Sequence, residues 1–122
     1  MTKKMILAED DQDFREGLVL YIGDEIPGVE IEYVDDGKPL LERARNGGYA
    51  LILTDNDMKQ MNGLEAVRRI REFDKTTPIY LMSGRDVRKQ ALEAGATGYI
   101  PKDFDFAGGS VNLSLVLKPY LG

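Results

Sequence analysis

Three short runs constrain this chain more than anything else in it: MILA (5–8), ALILT (50–54) and PIYLM (78–82). Each is continuously apolar over four or five residues, the pattern of a strand buried on both faces. Between them the periodicity changes to that of helices. Phe14, Leu18 and Ile22 recur at helical spacing until Pro27-Gly28 breaks the segment, and KPLLERARN (38–46) stops at Gly47-Gly48. Leu64, Val67, Ile70 and Phe73 mark one side of a further helix, with Arg68, Arg69 and Arg71 mostly on the other. RDVRKQALEA (85–94) is a fourth helix, closed by Gly95. VEIEYV (29–34) alternates Val29, Ile31 and Tyr33 with Glu30 and Glu32, as a strand with one wet face does. Asp35-Asp36-Gly37 reads as a turn, and GYI (98–100) as a short fifth strand. The tail GGSVNLSLVLKPY predicts a last helix opening at Ser110, its start weakened by Gly108-Gly109.

Strands alternating with helices imply an α/β fold with a parallel sheet covered on both faces. The continuous runs suit interior positions and the alternating one suits an edge. A flavodoxin-like, doubly wound five-stranded sheet in the order 2-1-3-4-5 satisfies both requirements, with the first and third strands side by side at the topological switch point. At 122 residues, one domain over 1–122 is the simplest organisation.

Ligands bind such sheets at the carboxyl ends of the strands. The residues there are Glu9-Asp10, Asp55, Ser83 and Lys102: three carboxylates, a hydroxyl and an ammonium facing one crevice. Crowded carboxylates repel and raise one another's pKa unless a cation joins them. The chain has no cysteine and no histidine, so side chains offer a metal only oxygen ligands, which favours magnesium, calcium or manganese over zinc. Magnesium is the plausible cation, since it keeps several waters and takes one or two carboxylates plus a phosphate. The formal net charge of −5 argues against direct binding to nucleic acid, and the basic residues of AVRRIREF read as the wet side of a helix. No apolar stretch approaches the roughly 20 residues of a membrane span. The apolar run near the start is too short for a signal peptide, so a cytoplasmic setting is expected.

Four motifs in register, AEDD (8–11), LILTDNDMKQMNG (51–63), PIYLMSG (78–84) and GATGYIPKD (95–103), make the chain resemble the receiver domain of two-component response regulators, of the CheY-like superfamily, over essentially its whole length. The resemblance implies that Asp55 accepts a phosphoryl group from a phosphohistidine of a sensor histidine kinase or phosphotransfer protein. It implies that Asp10, Asp55 and the backbone carbonyl of Asp57 hold Mg2+ (or Mn2+), with Glu9 assisting through water. Lys102 would pair with the phosphoryl oxygens, Ser83 would donate its hydroxyl to them, and Tyr99 would change its packing in response. A downstream protein would then read the face formed by helix 4, strand 5 and helix 5. On this reading the chain is no enzyme beyond assisting its own phosphorylation and dephosphorylation. It is either a stand-alone receiver or one cut from a larger regulator or hybrid kinase.

Each residue alone has a plainer explanation. Glu9, Asp10, Asp11 and Asp13 suit a helix start, where the dipole favours acids; Asp55 suits a turn, Lys102 a solvated surface and Tyr99 ordinary packing. Met58 and Met61 suit loop packing, and Gly63 a backbone requirement where the loop enters a helix. Their convergence distinguishes the two readings. The family pattern is also broken in places: Lys59 and Asp103 stand where proline is common, and Asp57 and Arg85 lie two residues beyond Asp55 and Ser83, where they would bear on phosphoryl lifetime. The alternatives are an aspartyl-phosphate phosphatase of the haloacid-dehalogenase type, suggested by Asp55-x-Asp57, and a pseudo-receiver that binds partners without phosphorylation. The first is disfavoured because that motif normally follows a first strand, the second because a scaffold has no need of this charge set.

Overall fold

Every apolar run becomes a strand in the computed structural model, which describes residues 2–103 and 112–122. In chain order the elements are β1 (Lys4–Ala8), α1 (Gln12–Glu25), β2 (Glu30–Val34), α2 (Gly37–Ala44), β3 (Leu51–Asp55), α3 (Gly63–Ile70), β4 (Ile79–Ser83), α4 (Arg88–Ala94), β5 (Gly98–Pro101) and α5 (Leu113–Leu121). The strands form one parallel sheet in the order β2-β1-β3-β4-β5, as the burial patterns predicted. β3 is buried at every residue, because it lies mid-sheet with helices on both faces.

Pleating divides the core in two, since successive strand residues point to opposite faces. On one face Ile6, Ile52, Ile79 and Leu81 pack with Leu40 of α2, Val67 and Ile70 of α3 and Ala91 of α4. On the other, Met5, Leu7, Leu51, Leu53 and Met82 pack with Leu18 and Ile22 of α1 and Leu113 and Leu117 of α5. Side chains cap the starts of α1 and α3: Asp11 accepts the Phe14 N–H and Asn62 accepts the Glu65 N–H, satisfying donors that the first turn leaves free. Asp13 follows as a first-turn acid. Gly95 closes α4 at φ 109°, a left-handed conformation that favours glycine.

Four local expectations differ from the structure. In β2, Tyr33 is 56% exposed and lies against the Arg15 guanidinium, while Glu32 is half-buried. Glu32 is held there by Tyr49, Arg43 and Lys4, so the supposed wet face carries a polar cluster. α3 ends at Ile70, leaving Phe73 outside the helix and under Arg45. Arg71 is no wet-face arginine: its guanidinium donates to the backbone carbonyls of Gly95 and Asp74, tying the end of α3 to the turn before β5. α4 begins at Arg88 rather than Arg85, because the preceding residues belong to the loop above Ser83. The start expected at Ser110 lies outside the described residues; the described part of α5 begins at Leu113 with Asn112 as its cap.

Candidate phosphoacceptor site

Strand register brings the site together. Ala8 lies opposite Thr54, Asp55 opposite Met82 and Ser83 opposite Pro101, so Glu9, Asp55, Ser83 and Lys102 emerge at one end of a single sheet. Because all the strands are parallel, that end is the carboxyl end of each.

Asp55 is buried and both of its oxygens are held. Oδ1 accepts from Lys102 Nζ at 3.2 Å and Oδ2 from the Asp57 N–H at 3.1 Å. Lys102 Nζ also donates to Glu9 Oε1 at 2.7 Å and lies 4.3 Å from the centre of the Phe14 ring. Glu9 is fully buried, and its second oxygen, Oε2, has no hydrogen-bond partner. Asp10 lies on the solvent side, and one carboxylate oxygen from each of Glu9, Asp10 and Asp55 falls within 4.8 Å of the others.

Burial pushes the Glu9 carboxyl up to about 7, with Lys102 opposing and the Asp55 charge reinforcing the rise. Burial also raises Asp55, again against Lys102. Burial works against the Lys102 ammonium, but its contacts with Glu9 and Asp55 outweigh it and raise its pKa. One ammonium therefore does not neutralise the acids around it. Three carboxylates and one ammonium leave two negative charges when all are ionised, which one divalent cation matches. The all-oxygen donor set and the unpartnered Glu9 oxygen fit a hard cation such as magnesium.

The β4–α4 loop closes over the other side. Ser83 Oγ accepts the Arg85 N–H at 3.1 Å, and the Arg85 guanidinium pairs with Asp57 Oδ1 at 2.7 Å. The Tyr99 hydroxyl donates to the carbonyls of Ser83 at 3.0 Å and Arg85 at 2.6 Å. Tyr99 and Ser83, linked in the sequence reading only by resemblance, are therefore in direct contact.

The loop from Asp55 to α3 is anchored at both ends. Asn56 accepts the Leu64 N–H through its side chain and the Gly63 N–H through its carbonyl. A Cβ on Gly63 would overlap the Asp55 carbonyl oxygen, so glycine here permits a close approach at Asp55 itself. Met58 and Met61 pack against the adjacent core, as expected of loop methionines.

Three residues at the site escaped the sequence reading. Phe14, taken as core spacing, covers the Lys102 ammonium. Arg15 donates to the Glu9 backbone carbonyl at 2.8 Å. Asp36, taken as part of a turn, is 7% exposed; its carboxylate accepts the N–H groups of Lys38, Gln60 and Met61 at 2.9–3.0 Å. Burial opposes ionisation of Asp36, but the N–H groups of Lys38, Gln60, Met61 and Lys59 outweigh it and hold its pKa below the ordinary value. An Asp just before a helix-opening Gly signals an N-cap, but nothing local points to residues 59–61.

Comparison with known proteins agrees with this geometry. Residues 5–108 match the family model described as the response regulator receiver domain. The response regulator ArlR of Staphylococcus saprophyticus is 39% identical over 105 residues, covering 84% of this chain and 46% of that protein. The transcriptional regulatory protein TctD of Salmonella typhimurium strain LT2 is 30% identical over 122 residues, covering 98% of this chain and 54% of that one. The chain thus spans about half the length of these curated relatives. Among solved structures, the chemotaxis response regulator CheY4 of Vibrio cholerae superposes with a TM-score of 0.84 at 25% identity, covering 99% of this chain and all of that one.

Proposed function

Because this chain belongs to the response regulator receiver domain family, we propose that it is a phosphoacceptor signalling domain that takes a phosphoryl group onto Asp55 from a phosphohistidine of a sensor kinase or phosphotransfer protein. The observation that carries this reading is the buried Asp55 carboxylate, held between Lys102 and the Asp57 N–H at the carboxyl end of the sheet with oxygens of Glu9 and Asp10 beside it.

In the transfer, an Asp55 oxygen forms a bond to phosphorus as the bond from phosphorus to the donor imidazole nitrogen breaks. The phosphoryl group keeps its three oxygens, and the released imidazole takes a proton from solvent. Such a reaction needs in-line positioning and charge neutralisation more than covalent help from the protein. Lys102 supplies a fixed positive charge, and its contacts with Glu9 and Asp55 restrict where that charge stands. Asp10, Asp55 and the Asp57 carbonyl would hold magnesium, or manganese on the same oxygens, with Glu9 acting through water. When bound, the cation offsets phosphoryl charge.

Ser83 would exchange its contact with the Arg85 N–H for one to a phosphoryl oxygen. Since Tyr99 bonds the carbonyls of Ser83 and Arg85, movement of that loop alters the support of the Tyr99 hydroxyl, coupling the site to β5. A downstream protein would read the α4–β5–α5 face, where Leu92 of α4 and Leu115 of α5 are 52% and 66% exposed. No helix among the described residues is long and apolar enough to cross a membrane. The proposed setting is the cytoplasm, and catalysis is limited to the domain's own phosphorylation and dephosphorylation.

Intact mass after incubation with a small phosphoryl donor, with and without Mg2+, tests the reading. The expected result is a magnesium-dependent gain of one phosphoryl group, absent in Asp55→Asn. A gain that persists in Asp55→Asn would overturn the acceptor. So would no gain with magnesium bound, both from the small donor and from a phosphorylated histidine-containing partner.

A further inference from the structure

We propose that Asp36 is a positioning residue for the phosphoacceptor loop: with Gly37 it clasps Gln60 and Met61 and so sets where the Asp57 carbonyl stands. The inference rests on the proposed metal site, and it concerns a residue that touches none of the reacting groups.

The clasp runs in both directions. The Asp36 carboxylate accepts from the Gln60 N–H on Oδ1 and from the Met61 N–H on Oδ2, while the Gly37 N–H donates to the Met61 carbonyl at 3.2 Å. A Cβ on Gly37 would overlap that same carbonyl oxygen, so the two backbones meet at a distance only glycine allows. Oδ2 also accepts the Lys38 N–H, which makes Asp36 the N-cap of α2. One carboxylate thus joins the start of a helix to a loop 24 and 25 residues away.

That loop is otherwise fixed at its ends, by Asp55 and Asn56 on one side and by Asn62 and Gly63 on the other. The clasp takes hold three residues beyond Asp57. Without it, the Asp57 carbonyl depends on the Asp57 N–H bond to Asp55 Oδ2 and on the exposed Arg85–Asp57 ion pair, in a run with no proline, since position 59 is Lys. Residues that orient metal ligands from outside the ligand set act on affinity rather than on the ligand chemistry itself.

The test measures Mg2+ affinity of the whole chain by titration calorimetry without any phosphoryl donor, together with backbone amide shifts of Asp57 and Met58 by NMR. Asp36→Ala should weaken Mg2+ binding by about tenfold. Asp36→Asn, which keeps one acceptor oxygen, should fall between it and the wild type. Gly37→Ala, which leaves the carboxylate intact, should weaken binding by displacing Met61. Asp74→Ala serves as the control, because it removes a comparable acid from a loop away from the site. It should lower the melting temperature and leave Mg2+ affinity alone. The proposal is overturned if Asp36→Ala binds Mg2+ as the wild type does, or if Asp74→Ala weakens binding equally. Should the wild type bind no Mg2+, the metal reading fails. The clasp is then judged by the amides: shifts at Asp57 and Met58 in Asp36→Ala support it, and unmoved amides sink it.

Discussion

At the scale of single residues, Lys102 carries the most. Its ammonium is the partner of both Glu9 and Asp55, and Phe14 covers it from the α1 side. Lys102→Met keeps much of the stem and its packing but removes the charge. It should cut the initial rate of phosphoryl uptake from a small donor by roughly 10²-fold, the scale of losing one oriented electrostatic contact in a reacting site. Mass gain against time at sub-saturating donor measures this; an unchanged rate would mean that the ammonium only neutralises the resting acids. Arg85 and Asp57 form a shorter contact than Lys102 and Asp55, yet both their side chains are more than half exposed. Solvent screening makes that ion pair a weak contributor to stability whatever its length.

Among the elements, the connections between helices and strands hold interactions that periodicity cannot show. In the loop from α3 to β4, Asp74 accepts the Thr76 and Thr77 N–H groups and the Thr77 hydroxyl. Burial alone would raise its pKa, but these bonds and the nearby Arg71 outweigh burial and lower it. A carboxyl whose folded pKa lies below its unfolded value of about 3.9 stabilises fully above that value. The contribution disappears as pH falls through the folded pKa. Asp74→Ala should therefore lower the unfolding free energy by about 1–3 kcal/mol at pH 7. Its difference from the wild type should shrink below about pH 4. Urea unfolding of both proteins at several pH values checks this, and a pH-independent difference would locate the effect in packing. Just inside β4, Tyr80 meets Tyr120 of α5 hydroxyl to hydroxyl at 2.9 Å, and burial pushes Tyr80 up to about 12. Gly98 leaves room for the Tyr80 ring, so a short β5 residue and α5 are fitted around one side chain.

For the whole molecule, the sheet is the common wall of two cores, and its middle strands hold both. Leu53 of β3 is fully buried between β1 and β4, whereas Tyr33 of the edge strand β2 is exposed. Leu53→Ala should cost about 2–5 kcal/mol of unfolding free energy, because the cavity lies where neighbours on all sides are fixed. Tyr33→Ala should cost under about 1 kcal/mol, as a surface contact does. Chemical denaturation of the two variants separates them, and equal losses would contradict a core centred on β3. The order 2-1-3-4-5, the edge position of β2 and the gathering of Glu9, Asp55, Ser83 and Lys102 were all legible in the sequence. The reason is that strands buried on both faces must be apolar throughout, so the polar residues that end them mark the rim of the sheet. The partners of Asp36 and Arg71 and the full burial of Glu9 were not legible. Asp36 and Arg71 bind backbone N–H and C=O groups, which every residue type but proline carries alike, so such long-range bonds leave no trace in composition or spacing. The depth of Glu9 depends on the packing around Lys102, 93 positions away. Local pattern determined which segments became strands and helices and which side chains ended them; only the tertiary structure decided which buried charge meets which partner, because that depends on distances across the sheet rather than along the chain.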